Sequence, residues 1–272
     1  MGKFYFKRLG TVAGVNPMNF DKGSFANVLA PVTAAEKMDM DMEIYLYEDK
    51  RGAIIDRIKK GRLGDRVEET GGGSYFELFD TGRRKTFYFF ESGVPLGYLL
   101  NRAVNRSFLA FQSILDIFFL HCASIVMDDR LYLFVAPSGG GKSTVSSFAR
   151  EAGFSVLDEE SCVVKRKRDR FFAGLFPFCL LPGHADKERE VGGVFFLNKS
   201  GTNKVRKISA IEAVRRALPE ATCLYHDHVP QGGKAGYRKH VFQLLNLMFE
   251  NVDFRLLDFN KHPGVLSCLR ST

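Results

Sequence analysis

Over residues 1 to about 100 the apolar positions fall in short aromatic and β-branched runs, KFYFKRL, MEIYLYE, YFELF and KTFYFFE. Between them stand the turn signals Asn16-Pro17, Arg51-Gly52, Gly71-Gly72-Gly73-Ser74 and Thr81-Gly82. Runs of this kind between breakers predict strands, so residues 1–100 read as a small β-rich N-terminal module whose phenylalanines form its core. Further on the pattern alternates. FLAFQSILDIFFLHCASIVM (108 to 127) has the length of a membrane span but holds Gln112, Asp116 and His121. A mid-span Asp costs about 2.5–3.5 kcal/mol on insertion scales. The run therefore predicts a buried helix over about 103 to 118 and a strand over about 121 to 127, with Asp128-Asp129-Arg130 as the turn that follows. Next come a strand, LYLFV (131 to 135), an amphipathic helix, VSSFAREAGF, and a strand, FSVL (154 to 157). Lys165 to Arg170 reads as a solvated hairpin turn. GGVFFLN (192 to 198) and KVRKI are strands around the turn KSGTN, and Ser209-Ala210-Ile211-Glu212 is a capping box opening a helix through Ala217. Pro230 to Gly236 reads as a loop before a helix, YRKHVFQLLNLMFENV, and a last strand, FRLLDF. The chain is thus expected to be α/β, with a second domain over residues 101–272.

The junction between LYLFV and its helix is Ala136-Pro137-Ser138-Gly139-Gly140-Gly141-Lys142-Ser143-Thr144. Strand, glycine-rich loop and helix in that order suit a phosphate. Glycines let backbone N–H groups turn inward, the helix N-terminus adds partial positive charge, and a lysine reaches the β/γ-phosphates. The match to G-x-x-x-x-G-K-[ST] departs at its first position, Ala136. Ser138, Gly139, Gly140, Gly141, Lys142, Ser143 and Thr144 are the candidate nucleotide-binding residues, and the Ser143 hydroxyl is placed on Mg²⁺.

Directly after FSVL stand Asp158-Glu159-Glu160. Carboxylates at a strand end beside such a loop can hold Mg²⁺ or take a proton from an attacking hydroxyl, and they can equally be a solvated strand end. VLDE looks like the Walker B end of a transporter-type ATPase, but a single helix separates it from Lys142, where those enzymes insert a whole subdomain. His121 taken alone is read as a hydrogen-bonded residue of an apolar strand.

The segment Leu120 to Val164, LHCASIVMDDRLYLFVAPSGGGKSTVSSFAREAGFSVLDEESCVV, resembles the HPr kinase/phosphorylase group and its smaller HPr-kinase-like relatives. His121, Ser138 to Ser143 and the pair Glu159-Glu160 fall on the family's His, loop and paired acids without a gap. The resemblance implies a P-loop kinase core of the HPr kinase/PEP carboxykinase type with a mixed sheet. It also implies that Glu159 activates the acceptor hydroxyl, that Ser143 with Glu160 or Asp158 holds Mg²⁺, and that His121 assists as an acid/base or phosphate-contacting group. Glutamates stand where the family has aspartates, so which of Asp158, Glu159 and Glu160 is base and which is metal ligand stays open. No Glu-Arg-Gly segment follows Glu160, which points away from phosphorolysis and toward the small relatives, some of which phosphorylate a serine on a peptide.

The composition, 45% hydrophobic and 26% charged over 272 residues, is that of a soluble enzyme with one substantial core. MGKFYFK lacks the apolar stretch of a signal peptide, position 6 is Phe6 rather than the Ser or Thr of a myristoylation signal, and Cys122, Cys162, Cys179, Cys223 and Cys268 are scattered. Together these predict a cytoplasmic protein. A net charge of +8, with clusters at Lys59-Lys60-Gly61-Arg62, Lys165-Arg166-Lys167-Arg168 and Arg206-Lys207, favours anionic partners. No nucleic-acid recognition fold is legible. Cys223, His226 and His228 spell C-x-x-H-x-H, which fits no common structural zinc template and has no second ligand pair near it in sequence. The expected function is transfer of the γ-phosphoryl group of ATP to a hydroxyl, serine first, of a peptide or small protein. A nucleotide-binding switch with slow hydrolysis and no acceptor is the alternative. The donor (ATP, GTP or pyrophosphate) and homo-oligomerisation stay open.

Overall fold

The computed structural model describes residues 4–8, 11–18, 33–34, 41–49, 55, 67–70, 73–80, 82–91, 93–175, 188–223 and 234–270. These divide into two compact units, one running to Phe111 and the other starting at Gln112.

The first unit carries a seven-stranded mixed sheet. Its strands are β1 (Phe4–Arg8), β2 (Thr11–Pro17), β3 (Thr33–Ala34), β4 (Met42–Asp49), β5 (Val67–Thr70), β6 (Gly73–Asp80) and β7 (Lys85–Glu91), in the order β3-β1-β2-β4-β7-β6-β5. MEIYLYE and KTFYFFE lie parallel and in register from Glu43↔Lys85 to Asp49↔Glu91, and each alternates buried with half-exposed positions. That is the period-2 pattern a half-buried strand requires. Asn16-Pro17 closes β2 and Gly73-Ser74 opens β6, so two of the expected breakers lie inside strand ends. Arg51-Gly52, Lys59 to Arg62, His226, His228 and Pro230 to Gly233 lie outside the described residues.

Helix α1 (Leu96–Leu115) begins and ends earlier than the sequence pattern predicts. It stops because Asp116 takes a left-handed conformation (φ 52°), and the Ile117-Phe118-Phe119-Leu120 run that follows is strand β8 (Ile117–Leu120), buried throughout. A short wholly apolar run has no period by which to tell strand from helix.

The second unit is a curled mixed sheet with helices. Its strands β9 (Cys122–Met127) and β10 (Arg130–Val135) form a hairpin, closed by Asp128 and Asp129 with φ of 49° and 59°. Two positive φ values in a two-residue loop match the right-handed twist of the flanking strands. The chain continues through α2 (Lys142–Glu151), β11 (Ser155–Asp158), β12 (Cys162–Lys167), β13 (Arg170–Gly174), β14 (Arg189–Lys199), β15 (Lys204–Lys207), α3 (Ala210–Thr222), α4 (Lys234–Asn251), β16 (Phe254–Phe259) and α5 (Val265–Arg270). Neighbouring strands run β11-β9-β10-β14-β13-β12-β8, and β16 joins β14 to β15. Strands β10, β14 and β16 are mutually parallel, and they bury Phe134, Phe195, Leu197 and Leu257 against Val145 and Ala149 of α2.

The Ser209 half of the capping box forms, its hydroxyl accepting the Glu212 N–H at 3.2 Å, whereas the Glu212 carboxylate pairs with Arg216, and α3 runs on through Pro219 to Thr222. The expected end at Ala217 is corrected, and Glu220 sits on the last helical turn. Lys234 to Gly236, expected as loop, open α4. Among the described residues no helix is long and apolar enough to cross a membrane.

Candidate functional site

Three segments distant in sequence meet at one edge of the second unit's sheet, and the strand directions bring them there. The glycine-rich loop leaves the C-terminal end of β10. Antiparallel β9 begins at the same edge, because Cys122 pairs with Val135, which puts His121 beside the loop. Strand β11 is antiparallel to β9 with Asp158 opposite Ser124, so its C-terminal acids emerge at that edge too. His121, Ser138, Gly139, Gly141, Lys142, Ser143, Thr144, Glu159 and Glu160 line one cavity of about 300 Å³, at the small end of the roughly 300–1,000 Å³ of ligand pockets. Asp158 is not among its lining residues.

Glycine is required at the loop's close approaches. Gly139 and Gly141 have φ of 72° and 109°, and a Cβ on Gly141 would stand 2.2 Å from Cζ of the Phe259 ring. On Gly140 it would stand 2.5 Å from the Ala136 Cβ and 2.8 Å from the Pro137 carbonyl oxygen. Ala136 itself is buried and has no positive φ, so the departure from the glycine pattern falls where a methyl group fits.

Helix α2 starts at Lys142 with no side-chain cap and no acidic residue in its first turn. The first N–H groups of a helix have no intrahelical partner, and with the helix dipole they form a ready site for an anion. Lys142, a residue 7% exposed, donates from its ammonium to the Ala136 carbonyl at 2.8 Å and the Pro137 carbonyl at 3.4 Å.

The acids are used differently from one another. Asp158 Oδ1 accepts the N–H groups of Glu160 (2.6 Å) and Ser161 (3.0 Å), closing its own turn. Glu159 is ion-paired with Arg150 of α2. Glu160, 87% exposed, brings Oε2 to 3.7 Å from His121 Nε2.

His121 is held on its other side by a residue that the sequence pattern does not single out. Glu220 Oε2 lies 2.8 Å from Nδ1, and the His121 N–H donates to the Glu220 carbonyl at 3.0 Å. No local signal marks Glu220, because its partner is 99 residues away and the expected helix end at Ala217 falls short of it. Next to His121 in the chain, Cys122 is buried with Cys162, their sulfurs 3.3 Å apart. The Cys122 sulfur beside it, together with burial, holds the Cys162 thiol well above its ordinary range, so it stays protonated at neutral pH.

No family model and no curated protein matches the chain. Among solved structures, a similar one is the Hpr(Ser) kinase/phosphatase from Coxiella burnetii. It shares 12% identity at a TM-score of 0.30, over 56% of this chain and 94% of that one. Likeness of that degree carries no conclusion, and the site stands on its own geometry.

Proposed function

We propose that the second unit is a P-loop phosphotransferase that moves the γ-phosphoryl group of ATP to a hydroxyl, serine first, on a peptide or small protein. The observation that carries this is the convergence of an uncapped helix N-terminus, a buried lysine, an imidazole and two carboxylates on one cavity. The loop suits a polyphosphate, since its glycines let it pack tightly, Gly140 against Ala136 and Pro137 and Gly141 against Phe259, while Gly139 and Gly141 line the cavity. Ser143 and Glu160 offer exposed oxygens suited to Mg²⁺. When bound, Mg²⁺-ATP supplies the phosphoryl group and neutralises charge on its oxygens.

The chain's own residues position and exchange protons. Backbone N–H groups of Gly139 and of Gly141 to Ser143, with Lys142, hold the β/γ-phosphates, while the Gly140 N–H donates to the Pro137 carbonyl at 2.9 Å and shapes the loop. Glu159 leaves Arg150 to accept the acceptor hydroxyl's proton. His121, fixed through Nδ1 by Glu220, presents Nε2 to the transferred group. Incubated with γ-labelled ATP and a broad panel of serine peptides, the protein should place label on serine faster than it releases free phosphate.

The engagement of Glu159 with Arg150 and of Asp158 with its own turn favours one second reading, a nucleotide switch that hydrolyses slowly and has no acceptor. Free phosphate with no labelled peptide across the panel would select it.

A further inference from the structure

We infer that His121, Glu220 and Cys223 form a binding site for a zinc-class divalent cation, separate from the Mg²⁺ proposed at Ser143. One ligand atom from each of the three lies within 4.8 Å of the others. The C-x-x-H-x-H pattern around Cys223 fits no common zinc template, but Glu220 stands one helical turn before Cys223 and the fold brings His121 to both. His226 and His228 are not needed for the site.

The arrangement is built by the backbone. Glu220 and Cys223 are three residues apart at the end of α3, so they share one helix face. The His121 N–H bound to the Glu220 carbonyl at 3.0 Å ties the start of β9 to that helix end, so the spacing of the donors does not depend on side-chain rotamers alone. A helix C-terminus carries partial negative charge that favours a cation. A thiolate and a carboxylate balance a 2+ ion, and thiolate with imidazole selects zinc over the hard cations.

The fit needs small movements. Tetrahedral Zn–N, Zn–O and Zn–S bonds of about 2.0–2.3 Å put ligand atoms about 3.3–3.7 Å apart. The 2.8 Å separation of His121 Nδ1 and Glu220 Oε2 must therefore widen by about half an ångström, and the Cys223 sulfur must close in. Cys223 is exposed at the helix end, and its thiol must give up its hydrogen bond to the Glu220 carbonyl (3.3 Å) to reach the cation.

The site bears on the cavity through the histidine ring. Without metal, Glu220 accepts the Nδ1 proton and Nε2 offers a lone pair toward the cavity. With the cation on Nδ1 the ring proton sits on Nε2, and His121 becomes a hydrogen-bond donor to an anion.

The test uses the full chain, stripped with a chelator and titrated with Zn²⁺ against a competing chelator, and separately with Co²⁺. A single equivalent of Zn²⁺ should bind, and Co²⁺ should give a near-ultraviolet thiolate charge-transfer band. Cys223→Ser should abolish the band and weaken Zn²⁺ by more than about 10²-fold, beyond the 10–100-fold typical of losing a supporting partner. Glu220→Gln should retain the band and weaken Zn²⁺ by less. Absence of stoichiometric Zn²⁺, absence of the band in the wild type, or a band and affinity unchanged in Cys223→Ser would each overturn the site. The wild-type titration decides the matter even if a variant does not fold.

Discussion

The three loop glycines allow one prediction to be worked from geometry. Replacing Gly141 with Ala forces a side chain into φ 109°, outside the left-handed well, at a cost of about 1–3 kcal/mol. Its Cβ would also sit 2.2 Å from Phe259 Cζ. The Phe259 ring is 2% exposed within the core that holds Val145 and Ala149, so it cannot swing clear, and displacing it adds about 1–3 kcal/mol of overpacking. Gly141→Ala should therefore lose about 2–6 kcal/mol, a large part of the roughly 5–15 kcal/mol of a typical domain. Gly139 has φ 72° and nothing within 4 Å of its added Cβ. Its Ala variant meets only the left-handed cost of about 1–2 kcal/mol, partly offset by the stiffer unfolded chain. Urea unfolding of both variants, with the slope checked for constancy, gives the difference directly. Equal losses, or a Gly139→Ala loss exceeding that of Gly141→Ala, would show that the loop does not pack on Phe259 as described.

Lys142→Ala should weaken Mg²⁺-ATP by about 10- to 150-fold, the equivalent of one charge-assisted hydrogen bond of about 1.5–3 kcal/mol. Calorimetric affinities that match the wild type would remove the phosphate-loop reading. Glu159→Gln should lower kcat by about 10² to 10⁴ with nucleotide affinity nearly unchanged, whereas Glu160→Gln should raise the Mg²⁺ concentration needed for half-maximal rate. If both amides, and Asp158→Asn, turn over like the wild type, the carboxylate that matters is elsewhere.

The elements legible in the sequence are those with a strong local signal. MEIYLYE and KTFYFFE alternate cleanly and emerge as β4 and β7. FRLLDF, a short apolar run rich in aromatic and branched residues after a helical pattern, emerges as β16 with Phe254, Leu256, Leu257 and Phe259 buried. The elements that the pattern misplaces lack such signals. The buried run from Ile117 to Leu120 has no period, and Pro219 has the look of a terminator yet is carried inside α3, where the Thr222 hydroxyl donates to the Leu218 carbonyl at 2.8 Å. In the candidate site, the loop and the acids can be named from sequence because each follows an apolar strand run, whereas His121 taken alone reads as a strand residue and is singled out only by the resemblance. Glu220 cannot be named, because nothing local distinguishes it from any other acid on a helix.

Under the proposed function, the layout of the cavity gives its carboxylates separable roles. Carboxylates beside bound phosphates oppose binding, since like charges 4 Å apart repel by about 1 kcal/mol in water and about 4 kcal/mol at an effective dielectric of 20. Asp158 avoids that conflict by turning Oδ1 to its own backbone, and Glu159 by pairing with Arg150. Glu160 does not, for it is 87% exposed and its Oε2 stands 3.7 Å from the His121 Nε2. On the proposed function, the Glu160 carboxylate is tolerable beside a polyphosphate when a cation stands between them, so that reading gives it the metal. The same proposal leaves Glu159, once released from Arg150, as the carboxylate to take a proton.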